Sequence, residues 1–195
     1  MFFIPWTKRQ PKRIYLDYAA ATPLLVEVKK AMEPFLTDYF ANPSAIHQEG
    51  SQAKQAIVKA RQDIATTLGV RPSGVTFTSG GTESNNLAII GLVNRLHRED
   101  GLPYNQMEIL TTRLEHPSVL AVLPILRNTG VQINVVEVDR EGKITLPALS
   151  AALTTKTVLV TFAYANSEIG VIQPVHRLVR EIRRFEKKLQ RKINI

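Results

Sequence analysis

A chain of 195 residues, 44% hydrophobic and 22% charged, can bury a real core, and no segment approaches the roughly 20 apolar residues of a membrane span. The absence of cysteine excludes disulfides and thiolate metal sites, and the net charge of +8 speaks to partners rather than to fold. Met1 to Trp6 is apolar but too short for a signal-peptide core and is followed by basic residues, so a cytoplasmic protein with no membrane partner is expected.

Residues 1–13 read as an irregular N-terminal arm, followed by a short extended run at Ile14 to Asp17 and a helix near Val26 to Thr37. Asn42-Pro43-Ser44 reads as a turn, with Ser44 as its cap. A helix from about Ser51 to Leu68 then places Ala53, Ala56, Ile57, Ala60 and Ile64 on one face and stops at Gly69. Val75 to Thr78 has the pattern of a short buried strand and Asn86 to His97 that of an apolar helix, so Gly80 and Gly81 fall at a strand-to-helix turn. Glu108 to Thr111 reads as a strand, Ser118 to Asn128 as a helix ended by Gly130, Val131 to Val138 as a strand, Leu146 to Leu153 as a short helix, and Thr157 to Phe162 as a fully buried strand. A basic amphipathic helix comes next, with Val175, Leu178, Val179, Ile182, Phe185 and Leu189 at helical spacing. Ile193 to Ile195 looks like the start of one more strand. Strands alternating with helices predict an α/β domain over residues 14–195, with a largely parallel sheet flanked by helices and ligands gathered at the carboxyl ends of its strands.

Three polar motifs fall beyond such ends. In the first, Ser79 to Asn86, a helix N-terminus would offer unpaired N–H groups and the positive end of its dipole, Gly81 a close backbone approach and Thr82 a hydroxyl. The motif lacks the lysine of a P-loop and the spacing of a dinucleotide fingerprint, and a helix-capping turn without ligand fits it as well as a phosphate site. In the second, Glu115-His116, Pro117 should fix the chain as it enters the next helix and hold the imidazole at the strand's end. The third is Asn166-Ser167-Glu168-Ile169-Gly170. Asp17 and Glu83 form no recognisable acid/base pair, and no His/Asp/Glu spacing suggests a metal. Between Arg177 and Lys192 eight Lys or Arg stand against Glu181 and Glu186. That run reads either as a solvated basic face or as a site for nucleic acid or an acidic partner.

Ile14 to Pro23, Asn42-Pro43-Ser44, the glycine turn, Glu115-His116 and Asn166 to Gly170 resemble, in order and spacing, the motifs of cysteine desulfurases in the class V aminotransferase group. The resemblance implies the N-terminal part of a fold-type I large domain, truncated on its C-terminal side, that uses pyridoxal 5'-phosphate. It also implies removal of sulfur from L-cysteine to give L-alanine and an enzyme persulfide, a homodimer, and delivery to an iron–sulfur scaffold or a tRNA-thiolation partner. On this reading Gly81 and Thr82 hold the cofactor phosphate, His116 stacks on the ring and moves protons, and Ser167 stands where the family has an asparagine bonded to the cofactor's phenolic oxygen. Ala21 stands where relatives often have threonine. The Schiff-base lysine and the persulfide cysteine would lie beyond residue 195, so the chain alone is expected to be inactive. A sheet ending there should leave Val158 to Phe162 and Ile193 to Ile195 exposed and prone to association. A non-catalytic binding or dimerisation module, or another class V aminotransferase, shares the fold; the glycine turn followed by Asn85-Asn86 favours the desulfurase branch.

Overall fold

A computed structural model describes residues 14–195; the arm expected over residues 1–13 lies outside the described residues. The chain divides into a unit ending at Thr76 and another running from Phe77 to Ile195.

The first unit is helical. Helix α1 (Val26–Thr37) occupies the expected range, but none of its residues is buried. Helix α2 (Gln48–Leu68) begins three residues before the expected Ser51, because the His47 imidazole accepts a hydrogen bond from Gly50 N–H at 3.3 Å and caps the first turn. Glycine is required at position 50: a Cβ there would lie 2.5 Å from the Ala45 carbonyl oxygen. The helix ends as expected at Gly69, left-handed at φ 65°, with Val70 N–H donating to Ala65 O. The Asn42-Pro43-Ser44 turn is closed by Asn42, whose carboxamide oxygen accepts from Ser44 N–H at 2.9 Å, so asparagine and not Ser44 supplies the cap.

Val75 to Thr78 is not a strand. The chain is extended at Val75, but the segment joins no ladder among the described residues, and β-branched sequence without a neighbouring strand to pair with does not make a sheet. Helix α3 (Gly81–Arg98) follows. The sheet consists of β1 (Glu108–Thr111), β2 (Gln132–Val135) and β3 (Thr157–Val160), all parallel in the order β2-β1-β3. The helix expected from Ser118 to Asn128 starts at Pro117 and comes as two pieces, α4 (Pro117–Leu120) and α5 (Val122–Asn128). Helices α6 (Leu146–Ala152) and α7 (Val175–Leu189) complete the unit.

Every residue of β1 and β3 is buried. Successive residues of a strand point to opposite faces, so the sheet needs cover on both. Ile109 packs with Ile89, Val93, Val122 and Leu126 of α3 and α5, whereas Leu110 packs with Leu149, Leu178 and Ile182 of α6 and α7. The one polar side chain of the β1 start, Glu108, is buried but satisfied, accepting from the Thr154 and Thr157 hydroxyls at 2.8 and 2.7 Å.

The expected exposure of the late apolar segments is corrected. Val158, Leu159 and Val160 are buried and Phe162 is half-buried. Asn194 bridges Leu159 in parallel, with Asn194 N–H donating to Val158 O at 3.0 Å and Val160 N–H to Asn194 O at 2.9 Å. The short run therefore covers the outer edge of β3 and drives Ile193 into the core, leaving only Ile195 exposed. Ile193→Ala should cost about 2–5 kcal/mol in denaturant unfolding and Ile195→Ala less than about 1 kcal/mol; equal costs would mean that this edge is not docked.

Candidate functional site

The chain leaves β1 for β2 on one side and later returns to β3 on the other, so the strand order reverses between β1 and β3. In open parallel sheets the crevice beyond the carboxyl ends at such a reversal is where ligands sit. A cavity of about 190 Å³ occupies this place, lined by Glu115 and His116 from the segment after β1 and by Asn166 and Ser167 from the segment after β3. An apolar cavity in the first unit, lined by Phe35, Tyr39 and Ala56 among others, offers no comparable polar chemistry.

His116 is the N-cap of α4, with Pro117 at the first helical position. Its Nδ1 accepts from Ser118 N–H at 3.1 Å and lies 2.7 Å from Ser118 Oγ. A lone pair held by a backbone donor fixes the neutral ring as the Nε2–H tautomer. Ser118 is buried and is tied in turn to α3, its hydroxyl accepting from Asn85 Nδ2 at 2.8 Å and its carbonyl from Asn86 Nδ2 at 3.4 Å. The imidazole is thus positioned by a helix cap and a second helix, while remaining exposed itself.

Beside it Glu115 is buried. Its carboxylate accepts from the Thr112 hydroxyl at 2.6 Å and from the Ala163 backbone N–H, linking the segments after β1 and β3. Burial pushes its pKa above the ordinary carboxylate value, and the two hydrogen bonds only partly oppose that.

Helix α3 starts at an extended Gly80, and its first intrahelical bond runs from Ser84 N–H to Gly80 O at 3.0 Å. The amides of Gly81 and Thr82 precede that bond and are left unsatisfied by the helix. Gly81 is exposed, and a Cβ there would meet nothing within 4 Å, so the helix end is open to a ligand. Glu83 reaches back instead of forward: the hydroxyl and the N–H of Ser79 both donate to Glu83 Oε2 at 2.6 Å, which lowers its pKa. Thr78 and Ser84 hydroxyls, 2.7 Å apart, close the same turn.

Asn166 is a structural residue. Its amide donates to Leu114 O at 2.9 Å and its oxygen accepts from Glu168 and Ile169 N–H at 2.9 and 3.1 Å, so both ends of the side chain are engaged. Ser167 and Glu168, both exposed at the cavity wall, are the polar side chains that this loop presents there besides Asn166.

Of the residues singled out from sequence, His116 and Ser167 meet at one cavity. Gly81 and Thr82 do not line it and are joined to it through Asn85, one turn along α3, and Ser118. Ser118 and Thr112 were not foreseen. The signal for Ser118 was present in His-Pro-Ser, a capping sequence in which the donor to the imidazole follows the proline. Among the described residues no cluster of His, Asp and Glu could hold a metal, and no helix is long and apolar enough to cross a membrane.

The family model for aminotransferase class-V matches residues 14–189. A cysteine desulfurase IscS of Dictyoglomus turgidum is 41% identical over 175 residues, 90% of this chain and 43% of that protein. Among solved structures, a NifS-like protein superposes with a TM-score of 0.82 at 33% identity, over 93% of this chain and 48% of the other. SspA in complex with cysteine does so with a TM-score of 0.78 at 36% identity, over 88% and 48%. The chain belongs to the class-V aminotransferase family, and it spans less than half the length of these relatives.

Glu115 supplies a pH prediction. Its folded pKa is raised above 4.5, so the folded state binds this proton more tightly than the unfolded chain. The associated stability is present below the unfolded value and is lost as pH rises through the folded one. Glu115→Gln keeps an acceptor for Thr112 and should flatten this dependence, gaining on wild type between acid and neutral pH; Glu115→Ala, which strands the Thr112 and Ala163 donors, should cost about 1–3 kcal/mol. Urea titrations at several pH values measure both.

Proposed function

We propose that this member of the class-V aminotransferase family contributes the phosphate-binding and ring-facing side of a pyridoxal phosphate site in a cysteine desulfurase. The observation that carries the proposal is the chain of hydrogen bonds from Asn85 through Ser118 to His116, which couples the open N-terminus of α3 to an imidazole at the sheet's reversal point. The residues fit the cofactor's chemistry. Two unsatisfied amides, an unhindered glycine and the Thr82 hydroxyl suit a phosphate, and a neutral imidazole and the Ser167 hydroxyl suit a polar heteroaromatic ring.

When bound, pyridoxal phosphate supplies an electron sink for bonds at the substrate's α and β carbons. Gly81 and Thr82 would fix the phosphate end and so set the ring's position. His116, its Nδ1 occupied by Ser118 N–H, holds a proton at Nε2 and can pass it to a group in the cavity. Ser167 would donate to, or accept from, the ring's phenolic oxygen, with a shorter reach than the asparagine it replaces. Asn166 is engaged elsewhere, its amide donating to Leu114 O and its oxygen accepting within the turn. Among the described residues no lysine lines the cavity, and there is no cysteine in the 195 residues. The Schiff base and the persulfide therefore need groups other than these. L-cysteine as substrate, with L-alanine and a persulfide as products, completes the proposal, supported by a relative named cysteine desulfurase and by a neighbour in complex with cysteine; a homodimer and transfer to an iron–sulfur scaffold or tRNA-thiolation partner are proposed on the family resemblance alone.

Phosphorus NMR of pyridoxal phosphate titrated with the chain tests the phosphate cup. Weak, non-covalent binding is expected. Thr82→Val should weaken it by about tenfold, the worth of one hydrogen bond to a charged group, and Gly81→Ala, which has room to fold and keeps its N–H, should weaken it by crowding the phosphate's approach. Borohydride reduction should scatter label over surface lysines such as Lys143 and Lys156, and no alanine should form from cysteine. Unchanged binding in both variants removes the cup; stoichiometric labelling of one lysine, or alanine release above blank, removes the assignment of a lysine-free half-site.

A further inference from the structure

We infer that the outer face of α7 is a binding surface for the phosphodiester backbone of a nucleic acid, read without regard to base sequence. The helix buries Leu178 and Ile182 under the sheet, and on its other side Arg177, Arg180, Arg184, Lys187 and Lys188 recur at intervals of three and four residues, all exposed. A helix turns once in about 5.4 Å, so the row offers a cation at almost every turn for about 16 Å. Acidic residues do little to neutralise it. Arg184 meets Glu181 at 3.5 Å, while among the described residues Arg177, Arg180, Lys187 and Lys188 have no carboxylate partner. Glu186 instead pairs with Arg183, off the row, and both fasten Ile193.

The row continues past the helix. Arg191 and Lys192, with Arg95 of α3, line a cavity of about 400 Å³ near the amino ends of the strands, on the rim opposite His116. The Arg191 guanidinium is pinned by donation to Thr157 O at 2.9 Å, yet its Nε is buried without an acceptor, and Lys192 has no carboxylate partner among the described residues. Asp100 also lines this cavity and pairs with Arg95 at 3.2 Å, so among the described residues Arg191 and Lys192 supply the cavity's uncompensated charge.

The character of the face selects the partner. Protein interfaces are anchored by aromatic and other large apolar side chains, and α7 exposes none. A membrane-surface helix needs its apolar face for lipid, whereas that of α7 is already used by the core. A polyanion held by counterion release needs neither.

Fluorescence anisotropy with the intact chain tests this, using labelled single-stranded RNA, duplex DNA and polyglutamate over a series of KCl concentrations. Both nucleic acids should bind with micromolar affinity near physiological salt, and log K should fall with log salt with a slope of about −4 to −5. Replacing Arg177, Arg180, Lys187 and Lys188 together by Gln should weaken binding at least tenfold and reduce the slope by about 3, with an unchanged circular dichroism melt. If that variant fails to fold, Arg180→Gln and Lys188→Gln singly should each reduce the slope by about 1. Absence of binding at low salt, binding indifferent to these changes, or polyglutamate bound as tightly as nucleic acid would each overturn the proposal, the last by making the face a site for acidic protein.

Discussion

Everything in the second unit is arranged around the burial of β1 on both faces. Four residues, Glu108 to Thr111, make the central strand, and none can be left to solvent. Ile109 and Leu110 belong to different cores because the strand's period is two, so α3 and α5 must pack on one side while α6 and α7 pack on the other. That requirement sends the chain out to β2 on one flank and back to β3 on the other. The reversal places the ends of β1 and β3 side by side, and the two polar segments beyond them become the walls of one cavity. The site is thus a geometric consequence of covering a parallel sheet twice, with chemistry supplied by the residues that happen to follow each strand.

Ser118 converts that placement into an imidazole of defined orientation. Buried, it donates its N–H to His116 Nδ1, shares a hydroxyl hydrogen bond with the same nitrogen and receives the Asn85 amide. A free imidazole on the same loop would sample both tautomers and several orientations; here the cap fixes one nitrogen as acceptor and leaves the other to hold the proton. Glu115 works differently. Buried and bonded to Thr112 and to the Ala163 N–H, it clamps the two walls together at the energetic cost of holding a carboxylate away from water.

Long-period signals were legible in the sequence, and pairing was not. The boundaries of α1, the Gly69 stop of α2 and the strand at Glu108 to Thr111 follow from apolar spacing and from glycine's freedom at positive φ, both local properties. Val75 to Thr78 has the same local pattern as a strand but no ladder, because a strand exists only where a neighbour accepts its hydrogen bonds. Ile193 to Ile195 was legible as the start of a strand but its docking was not: the open edge of β3 gives Asn194 two backbone bonds and Ile193 a place in the core. For the site, His116 and Ser167 could be located because each follows a recognisable strand. The fully engaged side chain of Asn166 and the bridging role of Ser118 depend on contacts across 52 and 33 residues, which no local pattern reports.

The fold also separates two kinds of charge. At the carboxyl ends of the strands the cavity walls mix an imidazole and a hydroxyl with charges of both signs, Arg113 against Glu115 and Glu168, while the N-terminus of α3, outside the cavity, offers an anion its backbone dipoles. Beyond the amino ends, and along α7, recognition rests on full positive charges, and the acids nearby are already used: Glu186 to hold Ile193, and Asp100 to pair with Arg95 at 3.2 Å. Both faces of α7 are therefore employed, the apolar one in closing the second core and the basic one in setting the long-range potential. None of the cations of the basic row takes part in the Asn85–Ser118–His116 bonds, so the two properties can vary independently within one 119-residue unit.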